Sequence, residues 1–253
     1  MQGWVATLLS GLMVGCMSVP ERDQSEESAS SDGNKKGTTH GSVTPGAPAT
    51  PCALEVRVRD FGAVHPDFEG IVNERVVTGL VESTLGPDRK PRGVPALAAP
   101  VGINAFDDWY NDRQGVNQPL TLSLSLDETS PGVFVFDSDA FFPVDKQALG
   151  NEGRAHNYHF TSEIHTRFRY DGGEKFTFAG DDDVWVFING KLAIDLGGVH
   201  VRASTTVDLD ARAAELGIAR GNLYTMDIFH AERHTVESTF RIETTIDCFT
   251  TVI

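Results

Sequence analysis

The chain has 253 residues, a net charge of −15, and 40% hydrophobic residues that include 15 Phe. So acidic a balance argues against a nucleic-acid partner, which needs a basic face toward phosphate, and it suits a hard cation. No apolar run is long enough to cross a bilayer as a permanent helix, whereas the aromatic content and length suffice for one all-β domain of about 200 residues.

Residues 1–15 (MQGWVATLLSGLMVG) are apolar and end in small residues before Cys16. This segment resembles a bacterial lipoprotein signal, with Cys16 lipidated and the chain exported to an outer membrane or cell surface; an ordinary secretory signal is the alternative. Any membrane contact then runs through a lipid anchor at Cys16. Residues 17–51, rich in Ser, Gly, Thr, Pro and charge, have little to bury and predict a disordered tether. The folded domain is expected over 52–253. Cys52 and Cys248 stand near its two edges, and in an oxidising compartment they predict a disulfide; two unpaired buried thiols are the other reading.

Within that domain, Leu54, Val56 and Val58 alternate with Glu55, Arg57 and Arg59, the pattern of a strand with one buried face. Residues 71–100 hold β-branched residues and then a Pro/Gly/Ala-rich connection. Phe106–Tyr110 (FDDWY) reads as an aromatic docking segment whose Trp109 and Tyr110 either join the core or stack on sugar rings. Leu120–Leu126 and Val133–Phe136 are strand-like, 141–151 a packed turn region, and Tyr158–Tyr170 a long alternating strand. Asp208–Leu216 is the one helical patch. Tyr224–His230 and Phe240–Ile246 close the count at nine or ten strands, spaced as in a sandwich or barrel.

The most informative stretch is Glu174–His200, EKFTFAGDDDVWVFINGKLAIDLGGVH. Asn189-Gly190 between two β-type runs predicts a type I′ hairpin, because both residues tolerate positive φ. At the open end of that hairpin stand Asp181, Asp182 and Asp183. Adjacent carboxylates repel, so they must face water, share protons or hold a cation. In regular β structure neighbours alternate faces, so two of them reach one ion only if the backbone kinks. A cis bond or a tight turn at Asp181-Asp182 would do this. An acidic bulge that merely solvates the strand edge is the alternative.

The phrases RDFGAVHPDFEG, DDWYND, FFPVDKQALG, the block from His156 through His200, and DIFHAERHTVESTFRIETTI together resemble the fibro-slime domain, a branch of the PA14 β-sandwich superfamily. The resemblance spans nearly all of residues 54–247. It implies an all-β, jelly-roll-like antiparallel sandwich at the cell surface, without enzymatic activity. In the flocculin-type adhesins of that superfamily an Asp-Asp pair joined by a cis peptide holds Ca²⁺, and the ion binds sugar hydroxyls; the matching pair here is Asp181-Asp182. Those adhesins add an Asn and backbone carbonyls from a later loop, which corresponds in chain order to Ala231–Ser238. That loop holds Glu232 and Glu237 and has no Asn.

The expectation is therefore a Ca²⁺-dependent module binding a glycan or matrix ligand. Asp181, Asp182 and Glu232 are its metal ligands, and Asp183, His200, Arg233 and His234 lie close to the bound ligand. Three alternatives stay open. Glu232-Arg233 could be an ion pair, with Arg233 neutralising an Asp in place of calcium. The domain could be a structural surface or coat protein without metal. Or His156, His159, His165, His200, His230 and His234 could gather with Glu232 into the metal centre of a hydrolase, although no His-x-x-x-His helix is present. Gly-x-Ser-x-Gly and phosphate-cradling loops are also absent. Gly197-Gly198-Val199-His200 reads as a tight turn or as a source of carbonyls near the acids.

Overall fold

A computed structural model describes residues 40–46, 53–247 and 249–251. Cys16, Cys52 and Cys248 lie outside the described residues, and with them the lipidation and the disulfide. So do the signal segment and most of the expected tether.

Two antiparallel sheets form the sandwich. In chain order the strands are β1 (Ser42–Pro45), β2 (Leu54–Phe61), β3 (Asn117–Ser125), β4 (Asp127–Ser130), β5 (Val133–Ser138), β6 (Phe160–Tyr170), β7 (Lys175–Gly180), β8 (Asp183–Ile188), β9 (Lys191–Leu196), β10 (Ala203–Asp208), β11 (Asn222–Glu232), β12 (Phe240–Thr244) and β13 (Thr250–Thr251). The larger sheet runs β1-β3-β2-β6-β11-β8-β9, with β13 also paired to β6; the smaller runs β10-β7-β12-β5-β4. Strand β6 is long enough to hold two partners on one edge, β2 along Phe160–Glu163 and β13 along Thr166–Arg167.

The alternating strands behave as their periodicity predicts. Leu54, Val56 and Val58 of β2, Phe160, Ile164 and Phe168 of β6, and Phe176 and Phe178 of β7 meet in the core between the sheets. Asn189 and Gly190 both have positive φ, at 51° and 72°, and join β8 to β9 as the I′ signal requires. The helical patch is α2 (Leu209–Leu216). The side chain of Asp208 caps it by accepting from the Ala211 N–H at 3.1 Å, and Gly217 ends it with left-handed φ.

Three features depart from the sequence-based expectation. Ser42–Pro45, inside the expected tether, pairs with β3, and Val43 packs against the core. A short helix, α1 (Pro95–Ala98), lies in a stretch without helical periodicity. Finally, the core strand β8, readable from its apolar run, has its second face covered from outside the two sheets. Trp185 and Phe187 face a second cluster with Leu80, Val81, Ala98, Ile103, Trp109, Tyr110 and Phe229, so the irregular segment between β2 and β3 forms a third layer over the larger sheet. Trp109 and Tyr110 are core residues, not an exposed sugar platform. Among the described residues no helix is long and apolar enough to cross a membrane.

Candidate functional site at the sandwich end

Three times the chain passes from one sheet to the other at the same end of the sandwich. Asp181-Asp182 joins β7 to β8, residues 197–202 join β9 to β10, and residues 233–239 join β11 to β12. The register brings these links together. Gly180 pairs with both Ala203 and Phe240 in the smaller sheet, and in the larger sheet Asp183 pairs with Ala231 while Val184 pairs with Leu196. A side chain at Gly180 would strike Phe178 and the Thr239 carbonyl at 2.8 Å, so only glycine permits the close approach.

The Asp181–Asp182 peptide is cis. Asp181 Oδ1 accepts from the Thr239 N–H at 2.7 Å and Oδ2 from the Thr239 hydroxyl at 3.0 Å. Burial raises its pKa, and Glu237 adds to the effect. Its carbonyl oxygen lies 2.8 Å from Nε2 of His230. Burial lowers the His230 pKa to about 4, so the neutral ring donates from Nε2. Asp182 Oδ2 accepts the Arg233 N–H at 3.0 Å, and its pKa is pushed up to about 8 by burial first and by Asp183 next.

Asp183 has a different role. It is fully buried, and its oxygens are taken by Arg233 Nε at 2.6 Å and by the Gly198 N–H at 2.5 Å. Arg233 is equally buried. Beyond Asp183 it donates to the Asp67 carbonyl at 3.1 Å and lies over the Trp109 ring, 5.1 Å from the centroid. The guanidinium thus pairs with Asp183 and not with Glu232. Glu232 is the last residue of β11 and is buried, with Oε2 unpartnered. Burial, then Asp182 and Asp181, push its pKa well above the usual carboxylate range.

Asp181 and Asp182 open onto a cavity of about 350 Å³, also lined by Val72, Glu74, Val199, His200, Val201, His234, Thr235, Val236 and Glu237. Sequence reasoning placed His200 and His234 here and missed the wall around them. That wall is held by main-chain and side-chain hydrogen bonds. The Asn73 N–H donates to the Val199 carbonyl at 2.8 Å, and the Asn73 side chain accepts from the Val199 N–H at 2.9 Å. Glu69 accepts from the N–H and hydroxyl of Thr235, each at 3.2 Å. The β-branched residues that follow Gly70 were a signal, but nothing local says that they meet residue 199.

Asp183, Arg233 and Glu232 do not line this cavity. The histidines are dispersed. His156 pairs with Asp145, His159 with Glu69, His165 bridges Glu163 and Asp227, and His230 sits under the cis peptide. Among the described residues no three His, Cys, Asp or Glu side chains form a group that could hold a metal ion by themselves.

With the geometry established, relatives are informative. Residues 109–248 match the PA14 domain family. Protein psiQ of Dictyostelium discoideum is 39% identical over 188 residues, 68% of this chain and 19% of psiQ. Protein psiE of the same organism is 40% identical over 227 residues, 79% of this chain and 44% of psiE. The chain spans less than half the length of these relatives. Among solved structures, the PA14 sugar-binding domain from an RTX adhesin aligns over 77% of this chain and 90% of its own, with a TM-score of 0.36 and 8% identity; a superposition that loose transfers neither residues nor ligand. On the family match and the psi relatives, the chain belongs to the PA14 domain family, in its fibro-slime branch.

Proposed function

We propose that this domain is a non-enzymatic, extracellular binding module that takes Ca²⁺ at Asp181-Asp182 and a glycan in the adjoining cavity. One observation carries the reading: two neighbouring carboxylates face a cavity at a sandwich end with no Lys or Arg among its described lining residues. Four acids (Asp181, Asp182, Asp183 and Glu232) are buried there, and the buried arginine beside them, Arg233, pairs with Asp183. Unbalanced negative charge and an unpartnered Glu232 oxygen are what a divalent cation would relieve.

The donor set fits calcium in kind. Calcium accepts six to eight oxygens, and carbonyls and water complete the set where carboxylates are few. Asp181 and Asp182 would hold the ion from the crossing, with Glu232 adding negative charge from β11. Bound there, Ca²⁺ would supply positive charge and open positions for sugar hydroxyls. The chain's own part is preorganisation: Thr239 fixes Asp181, the Arg233 N–H fixes Asp182, and the Arg233–Asp183 pair anchors the start of β8.

Calorimetric titration tests the reading. The native chain should bind Ca²⁺ with a dissociation constant of about 10⁻⁴–10⁻³ M, the range of extracellular modules. At 100 times that constant, binding should stabilise the fold by about 2.7 kcal/mol. Asp182→Asn should lose both effects. A native chain whose melting ignores calcium would instead support the structural surface module.

A further inference from the structure

The cavity wall carries more information than its acids, and the selectivity it implies rests on the glycan function proposed for the site. Val72, Val199, Val201 and Val236 come from three separate segments and surround the opening. Three of them are exposed, at 50% for Val72, 73% for Val201 and 78% for Val236. Aliphatic side chains left in water on several loops around one opening are a recognition surface more than a folding device. Among the described residues no Phe, Tyr or Trp lines the cavity, so no phenyl, phenol or indole ring there stacks on the flat face of a sugar. No described Lys or Arg lines it either, and its ionisable residues are Glu74, Asp181, Asp182, Glu237 and two histidines. At about 350 Å³ it stands at the lower end of small-ligand pockets, roughly 300–1,000 Å³, with room for a terminal residue and not for a chain.

We infer that the cavity selects the neutral terminal residue of a glycan that presents a methyl group, as a 6-deoxyhexose or an N-acetylhexosamine does, and rejects uronic, sialic and sulfated sugars. The methyl group packs against Val72, Val201 and Val236 while the hydroxyls face the Asp181–Asp182 floor. Four carboxylates (Glu74, Asp181, Asp182 and Glu237) line the cavity, so one divalent ion on the floor does not reverse its negative sign, and no guanidinium or ammonium lining it pairs with a sugar anion. The two sources of the methyl differ in reach: C6 carries it directly on the ring, whereas an acetamido group carries it through an amide.

Calorimetry on the full chain in millimolar Ca²⁺ tests this with 6-deoxygalactose against galactose, N-acetylglucosamine against glucose, and galacturonate against galactose. Burying one methyl should favour the methyl-bearing partner of at least one pair by about fourfold, and the pair that responds identifies the source. Galacturonate should bind at least tenfold more weakly than galactose. The double variant Val201→Ser/Val236→Ser, altered only at exposed positions, should still bind Ca²⁺ at Asp181-Asp182 and lose the methyl preference. Equal affinities within both methyl pairs, or galacturonate matching galactose, would overturn the inference while leaving the glycan reading intact. Failure of every sugar to bind, with calcium binding retained, would overturn both. Valine-dependent binding of phosphatidylcholine vesicles without any methyl preference would assign the rim to a lipid surface instead.

Discussion

Arg233 shows how one residue can hold a site without lining it. Its guanidinium is buried with Asp183, reaches the Asp67 carbonyl and covers Trp109. Its main-chain N–H meanwhile fixes Asp182. Removing the cation leaves a buried carboxylate without a partner, which costs about 3–5 kcal/mol. Arg233→Ala should therefore lose about that much in urea denaturation. Arg233→Met combined with Asp183→Asn should regain part of it, since the amide oxygen can still accept from Gly198; no recovery would show that the unpaired carboxylate is not what Arg233→Ala costs. Asp60 gives a second residue-level test, set apart from the cavity. It is fully buried, accepts from the Leu149 N–H at 2.7 Å and from Asn157 Nδ2 at 2.8 Å, and burial raises its pKa to about 6. A carboxyl that is harder to ionise folded than unfolded favours the native state at low pH. Its contribution falls as pH rises from the unfolded value near 4 to about 6, by roughly 3 kcal/mol in all. Asp60→Asn cannot ionise, so the native chain should lose about that amount of stability relative to the variant between pH 4 and pH 7. A constant gap in denaturation series across that range would refute the assignment.

At the level of elements, legibility followed local periodicity. Strands β2, β6, β7, β8 and β11 were readable because one or both faces enter a core and the side chains say so two residues apart. The Asn189-Gly190 turn was readable because positive φ at two successive positions has few solutions. Strand β10, ASTTVD, was not: it is the edge of the smaller sheet, with Val207 its one fully buried residue. The layer from Val77 to Tyr110 was also hidden, since its order comes from contacts with Trp185 and Phe229 and not from any repeat of its own. The site divides the same way. Three successive acids drew attention to Asp181-Asp182, and chain order pointed to Ala231–Ser238, of which Ala231 and Glu232 belong to β11. That Asp183 turns inward to Arg233 while its two neighbours line the cavity depends on the crossing between sheets, which no run of residues displays.

For the molecule as a whole, the family match and the folding unit are not the same length of chain. The PA14 match begins at Trp109, yet β2, Leu54–Phe61, lies between β3 and β6 in the larger sheet. It pairs with β3 over eight positions and with β6 over four. Without it, β3 and β6 each lose a neighbour in the interior of a sheet, and Leu54, Val56 and Val58 leave the core. The same cut removes Leu80, Val81, Ala98 and Ile103 from above Trp185 and Phe187, which stand at 0% exposure in the full chain. It also takes Val72 and Glu74 from the cavity. Fully burying one large aliphatic side chain is worth about 1.5–3 kcal/mol, and whole domains are stable by about 5–15 kcal/mol, so six such losses, Ala98 left aside, exceed what the remainder can sustain. A polypeptide of residues 109–248 should therefore fail to give a cooperative thermal transition and should aggregate, whereas residues 40–253 should melt as one unit. Should the shorter polypeptide melt cooperatively, the segment before Trp109 would be an accessory to the fold and not a structural part of it, and the cavity would have to be reconsidered without its Val72–Glu74 wall.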